Sequence, residues 1–151
     1  MEKTLEKIVL RRDQQKEIII IRKYLVSLIR DNKGKLDACT TTYQVMANEC
    51  QLQYPILSKS PMQRKALGIV LAQLTKEDFK AGRPLIASLI YGVKLYRPRD
   101  GFYRTLINLK YKGTFGKTFK QLYQNRTWRR KLESNAVEFW KKDENFYKVE
   151  C

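Results

Sequence analysis

Basic and aromatic side chains are concentrated in residues 94–131. This stretch contains twelve Lys or Arg residues and a single acid, Asp100. Cationic side chains neutralise phosphates and release counterions, and exposed aromatic faces can stack on bases. The pattern predicts a nucleic-acid interface, with Phe102 and Phe119 expected in the core instead. The aromatic residues interleaved with the cations are Tyr96, Phe102, Tyr103, Tyr111, Phe115, Phe119, Tyr123 and Trp128.

The densest group of cations is NRTWRRK, residues 125–131. On a helix, Arg126, Arg129 and Arg130 would share one face, because residues three and four apart are neighbours. The planar guanidinium suits bidentate phosphate contacts, which predicts a phosphate clamp. A solvated helix face would show the same pattern, and that alternative stays open.

A second basic group follows an apolar run. The run PLIASLIYGV predicts a buried strand, and KLYRPRDG after it predicts a turn that carries Lys94, Arg97 and Arg99. We expect this turn to contact a phosphate backbone, with Pro98 stiffening it at low entropic cost.

Few residues are available for catalysis or for binding a metal. The chain contains no histidine, so neither a Ser-His-Asp nor a Cys-His arrangement can form. Its three cysteines, Cys39, Cys50 and Cys151, are widely spaced and are expected to be reduced thiols. We predict no cofactor, no metal and no enzymatic activity. A nuclease that uses the acidic pairs at 77–78 or 143–144 is the weakest alternative.

The totals favour a polyanionic partner. The 151 residues carry a formal net charge of +16, well above the magnitude of about 2 to 8 that solubility requires of a small domain. An anionic membrane surface or an acidic protein are the alternatives to nucleic acid. The longest apolar run, residues 18–21, is too short to span a membrane, and no signal peptide is evident, so we expect a cytoplasmic protein.

Helix signals occur along most of the chain. Residues 1–33 predict an N-terminal helix whose core stripe is Ile18, Ile21, Leu25 and Leu28. A threonine at position 41 or 42 can cap a short second helix. Ser60 followed by Pro61 predicts a third helix over about 61–79, which Gly82 is placed to end.

The predicted fold class is mainly α with a small sheet. A further short helix is expected at 102–109, and a long final helix is expected at 118–142. The order helix, helix, strand and basic turn predicts a winged-helix-like module at 40–110. An N-terminal helix at 1–33 and a basic C-terminal helical segment at 111–151 would flank it within one compact domain.

Several short motifs carry a resemblance to known proteins. TTYQVMANEC, QRKALGIVLAQL and GRPLIASLIY with RPRDGFY resemble a group of small bacterial proteins. That pattern is similar to the winged-helix part of alkylguanine-DNA alkyltransferases and alkyltransferase-like proteins. The resemblance covers about residues 40–105 and implies a DNA-docking surface.

The resemblance also assigns roles to particular residues. It sets Lys65 where the family has a DNA-inserting arginine, and Arg64 takes that role if the alignment slips by one. The family's Pro-Cys-His-Arg nucleophile motif is missing, because RPLIASLIYG contains neither Cys nor His. Methyl transfer to a cysteine is therefore excluded.

The sequence thus predicts a non-enzymatic nucleic-acid-binding protein, with duplex DNA favoured over RNA, in a regulatory, mobile-element or defence setting. The alternative is an assembly subunit that docks on a protein or protein–RNA complex through its N-terminal helix or C-terminal tail. The predicted nucleic-acid contacts are Tyr43, Lys59, Gln63, Arg64, Lys65, Lys94, Arg97, Arg99, Arg104, Lys117, Arg126, Arg129 and Arg130.

Overall fold

A computed structural model describes residues 2–50, 61–92 and 95–142, and the side chains of all these except 2–14 and 61–66. The described chain is mainly helical with a small sheet, which confirms the predicted class. The α-helices are α1 (Glu2–Asp31), α2 (Tyr43–Glu49), α3 (Pro61–Lys80), α4 (Asp100–Asn108), α5 (Phe119–Gln124) and α6 (Arg126–Trp140). Two 3-10 turns, Leu36–Ala38 and Ile86–Leu89, and strands β1 (Thr41–Thr42) and β2 (Ile90–Tyr91) complete the described elements.

Helix α1 places its predicted apolar stripe in the core. Ile18, Ile21 and Leu25 are buried, whereas Leu28 is only half-buried and Ile29 takes the inner position beside it. The helix ends as the chain turns at Gly34, whose φ is +72° and whose N–H donates to the Ile29 carbonyl at 2.9 Å. Such a left-handed residue is a common helix terminator, since glycine adopts it without steric cost.

The expected helix-boundary signals at positions 42 and 82 are confirmed. The Thr42 hydroxyl oxygen accepts a hydrogen bond from the Val45 N–H at 3.2 Å and so caps α2. Gly82, with φ of +70°, follows α3, and the next N–H, that of Arg83, donates back to the Asp78 carbonyl. The predicted cap Ser60 lies outside the described residues.

Two element predictions are correct only in part. The expected strand at 84–93 is a buried 3-10 turn followed by a two-residue strand, because a continuous apolar run does not distinguish a strand from another buried segment. The expected helix at 118–142 is divided at Asn125, which ends α5 and whose side chain accepts from the Trp128 N–H to start α6.

The sheet consists of two parallel strands, with Thr41 opposite Ile90 and Thr42 opposite Tyr91. Within the described ranges β2 pairs only with β1, and residues 95–99 lead directly into α4. A winged-helix arrangement is therefore not confirmed. None of the helices in these ranges combines the length and apolar character needed to cross a membrane.

A buried charged group, which we name the Asp78 cluster, joins four elements. The Asp78 carboxylate accepts from Arg22 at 2.6 Å and from Arg83 at 3.0 Å, and its second oxygen accepts from the Ile86 N–H at 3.2 Å. Both guanidinium groups lie over the Trp140 ring, at 5.5 and 5.9 Å from its centroid. Burial raises the pKa of Asp78, and the two arginines and the N–H oppose that shift. The cluster fixes α1, α3, the second 3-10 turn and α6 around one core.

Candidate nucleic-acid interface

The turn at residues 95–99 is attached to α5 by Arg97. One guanidinium nitrogen of Arg97 donates to the Tyr123 carbonyl at 2.8 Å, and the group lies 4.6 Å from the centroid of the Tyr123 ring. Tyr96 occupies the left-handed region with φ of +57° and is 79% exposed. Arg97 therefore has a structural contact that the predicted phosphate role did not foresee, and Tyr96 is presented to solvent.

Arg99 connects the same turn to the start of α2. Its side chain is exposed, and its guanidinium lies 5.2 Å from the centroid of the half-buried Tyr43 ring. Burial is the main cause that raises the pKa of the Tyr43 phenol. The structure thus brings two predicted contact residues together, with Arg99 outermost and Tyr43 beneath it.

Helix α4 contributes Arg104, which is exposed. Its guanidinium lies 4.0 Å from the centroid of the Phe119 ring of α5 and 3.6 Å from the Asp100 carboxylate. Both partners of this ion pair are more than half exposed, so the pair adds little stability and leaves Arg104 accessible. Phe119 is half-buried and packs against the core, so the structure meets its predicted core position only in part.

Residues 109–118, which we name the basic loop, connect α4 and α5. Lys110, Lys112 and Lys117 are exposed in it, and Lys120 is exposed in the first turn of α5. None of these lysines forms an ion pair with another described residue. No Asp or Glu occurs between Asp100 and Glu133, so this part of the surface has no nearby carboxylate in sequence to neutralise it.

Aromatic packing holds the basic loop, α4, α5 and the start of α6 together. Tyr103 packs edge-on against Tyr123 and lies 6.4 Å from Trp128, measured between ring centroids. The backbone of the basic loop lies close to the same indole. A Cβ atom at Gly113 would lie only 3.0 Å from the Trp128 Nε1. The turn at 95–99, α4, the basic loop, α5 and Arg126 at the start of α6 are thereby joined into one part of the molecule, which we name the basic region.

The predicted phosphate clamp on α6 is not what the structure contains. Arg126 is exposed, but Arg129 is buried and its Nε lies 3.8 Å from the buried Glu133 carboxylate. Arg130 bridges Glu133 at 3.2 Å and Asp37 at 2.8 Å. The three arginines therefore do not form one exposed basic face, because the i,i+4 partner of Arg129 is a buried carboxylate.

Glu133, its two arginine partners and Asp37 form a second charged group, which we name the Glu133 cluster. It also includes Tyr91, whose hydroxyl donates to the Glu133 carboxylate. Burial raises the pKa of Glu133, and the Tyr91 hydroxyl and the two arginines oppose the shift. Asp37 raises the pKa of Arg130 through its hydrogen bond. This cluster ties β2 and the first 3-10 turn to α6, a structural role that the sequence analysis missed.

Several predicted contacts lie outside the described residues. Lys59 and Lys94 do, as do the side chains of Gln63, Arg64 and Lys65, although the backbone of the last three forms the first turns of α3. Of the other predicted contacts, Lys117 is exposed in the basic loop. Lys110, Lys112 and Lys120 are also exposed but were not among the predicted contacts, although they lie in the stretch between Asp100 and Glu133 that lacks acidic residues.

The first acidic pair of the nuclease alternative, at 77–78, forms ion pairs with arginines. Asp78 is fully buried between Arg22 and Arg83, and Glu77 lies 3.5 Å from Arg22. Across 2–50, 61–92 and 95–142, no group of three or more Cys, Asp or Glu side chains could hold a metal ion. The second acidic pair, at 143–144, lies outside these ranges.

Comparison with known proteins found no match. No family model, curated protein or solved structure matched this chain. The resemblance to alkylguanine-DNA alkyltransferases therefore stays a prediction from short motifs.

Proposed function

We propose that this protein binds nucleic acid without catalysis, through phosphate contacts made by the basic region. The observation that carries the proposal is the set of exposed lysines of the basic loop and α5, which have no carboxylate partner among the described residues. A concentration of uncompensated cations destabilises a small protein by self-repulsion and favours a polyanionic partner. The proposed contacts are Arg99, Arg104, Lys110, Lys112, Lys117, Lys120 and Arg126.

Duplex DNA is the proposed default ligand, and the start of α3 is its second contact. The positive end of a helix dipole and free backbone N–H groups favour phosphate there. In the winged-helix module that the short motifs resemble, α3 would be the recognition helix and would present Gln63, Arg64 and Lys65 to the DNA. The cytoplasmic location expected from the sequence belongs to this proposal.

A mobility-shift series with the full chain tests the proposal. Affinity for a random duplex should fall as salt rises, with a slope of about 0.9 for each phosphate contacted. Arg64→Ala with Lys65→Ala should weaken binding by about 1 to 3 kcal/mol for each lost base contact, and by less if only phosphates are touched. Weak binding that does not change with salt would overturn the proposal.

An assembly subunit is the second candidate, and one observation favours it. Ile19 and Ile20 are adjacent on α1 and are 54% and 43% exposed. A contiguous exposed apolar patch marks a surface that a protein partner covers, and this candidate requires these two isoleucines to belong to such a patch. A partner of fixed stoichiometry, lost on Ile19→Ser with Ile20→Ser while DNA binding stays weak and insensitive to salt, would favour this candidate.

A further inference from the structure

Phe115, at the centre of the basic loop, is 98% exposed. Burial of a phenylalanine side chain stabilises a protein relative to its exposure, and this side chain forgoes that gain. Phe119, four residues later, packs against the core instead. The exposure of Phe115 is therefore not a requirement of the hydrophobic core.

The backbone of the basic loop holds Phe115 outward. Thr114 is buried, and its hydroxyl and N–H both donate to the Tyr111 carbonyl, at 2.6 and 3.0 Å. The Lys117 N–H then donates to the Thr114 carbonyl at 3.0 Å. Two consecutive hydrogen-bonded turns thus fix the residues on both sides of the exposed ring.

Glycines on each side make this geometry available. Gly113 has φ of +92° and Gly116 has φ of +71°, a region that side-chain-bearing residues rarely adopt. Gly113 also lies directly against the Trp128 indole, so the loop backbone has a fixed support on its inner side. Phe115 therefore projects from a supported loop.

The charges around the ring identify the class of ligand. Lys112 and Lys117 are exposed three residues before and two residues after Phe115, and Tyr96 is a second exposed aromatic within the basic region. Separate aromatic rings among cations are typical of surfaces that stack bases while the cations follow the phosphates. Binding to an anionic bilayer depends on a larger continuous apolar face, which one phenylalanine does not supply.

We propose that Phe115 stacks on an unpaired base, so that the preferred ligand is single-stranded nucleic acid or a duplex that contains an unpaired base. This inference rests on the proposed nucleic-acid binding. It changes the preferred ligand from any duplex to a nucleic acid that has an accessible base face. In a perfect duplex both faces of each internal base are already stacked, so the ring adds nothing there.

The test compares wild type, Phe115→Ala and Phe115→Trp on three labelled DNAs at one salt concentration. The DNAs are a single strand, a perfect duplex, and the same duplex with one unpaired base. Phe115→Ala should weaken binding of the single strand and of the interrupted duplex by about 5-fold or more, since stacking contributes roughly 1 to 3 kcal/mol per base. Binding of the perfect duplex should change less than about 2-fold, and Phe115→Trp should retain the preference.

A matched control and the contrary outcomes complete the test. Ile19→Ala removes an exposed apolar side chain from α1, outside the proposed DNA contacts, and should leave all three affinities unchanged. One contrary outcome is that wild type binds DNA with the expected salt dependence while Phe115→Ala weakens the binding of all three DNAs equally, or of none of them. In that case the stacking proposal alone is wrong. If wild type binds none of them but binds phosphatidylserine vesicles through Phe115, both proposals are wrong and the ring belongs to a lipid contact.

Discussion

The cations of this protein divide into two regions that sequence does not distinguish. In the Asp78 and Glu133 clusters, the buried Arg22 and Arg129 face fully buried carboxylates. In the basic region, the exposed cations are mostly lysines that lack carboxylate partners among the described residues. Buried charges must be paired, whereas exposed ones need not be, and arginine is better suited to the buried pairs because of its several fixed donors. Net charge alone therefore overstates the surface that can meet a polyanion.

The largest expected effect comes from breaking the Asp78 cluster. Asp78→Asn keeps the shape of the side chain but leaves the buried Arg22 with only the partly exposed Glu77 as a counter-charge. We expect the free energy of unfolding to fall by about 3 to 5 kcal/mol, measured by urea denaturation. The control is Glu77→Gln, which alters a partly exposed carboxylate 3.5 Å from the same arginine and should cost less than about 1 kcal/mol. Equal losses from the two variants would contradict the structural role of Asp78.

Arg126 and Arg129 offer the sharpest contrast between the two regions, since they lie one turn apart on α6. Arg129→Ala should lower the free energy of unfolding by about 3 kcal/mol, because Glu133 loses a buried partner, and should leave the salt slope of DNA binding unchanged. Arg126→Ala should leave stability unchanged within about 0.5 kcal/mol and lower the slope by about 0.9 if it contacts a phosphate. The reverse pattern would support the predicted phosphate clamp instead.

The same two arginines show what sequence could and could not predict. The helix boundaries at Thr42 and Gly82 and the buried Ile18, Ile21 and Leu25 were predictable, because capping chemistry and helical spacing are local. Whether an arginine points inward depends on which distant element covers it. Here the segment that includes Tyr91 covers that side of α6, and nothing in NRTWRRK indicates this contact.

The break between α5 and α6 has a different cause. Asn125 can continue a helix or cap the next one, and the local sequence permits both. The packing of Tyr103 against Tyr123 and Trp128 accompanies the division, and that contact joins residues far apart in the chain. Phe115 was recognised as one of the interleaved aromatics, but its exposure depends on turns that only the structure shows.

A smaller effect tests whether the basic loop has the geometry described. Gly113→Ala should lower the free energy of unfolding by about 1 kcal/mol or more, because the residue has positive φ and its Cβ would meet the Trp128 indole at 3.0 Å. Gly68→Ala is the matched control, since that glycine lies inside α3 with open space around it, and it should raise stability by about 1 kcal/mol. Thermal unfolding followed by circular dichroism measures both. A neutral result at Gly113 would contradict the close approach of the loop to Trp128.

The most direct test of the account compares two triple variants that have the same net charge. Lys112→Ala, Lys117→Ala and Lys120→Ala remove exposed cations from the basic region, and Lys16→Ala, Lys35→Ala and Lys76→Ala remove three exposed cations outside it. We predict that the first triple lowers the salt slope of duplex binding by about 2 to 3, while the second leaves it close to that of wild type. Equal slopes in the two triples would show that binding depends on total charge and would contradict a basic region that contacts phosphates.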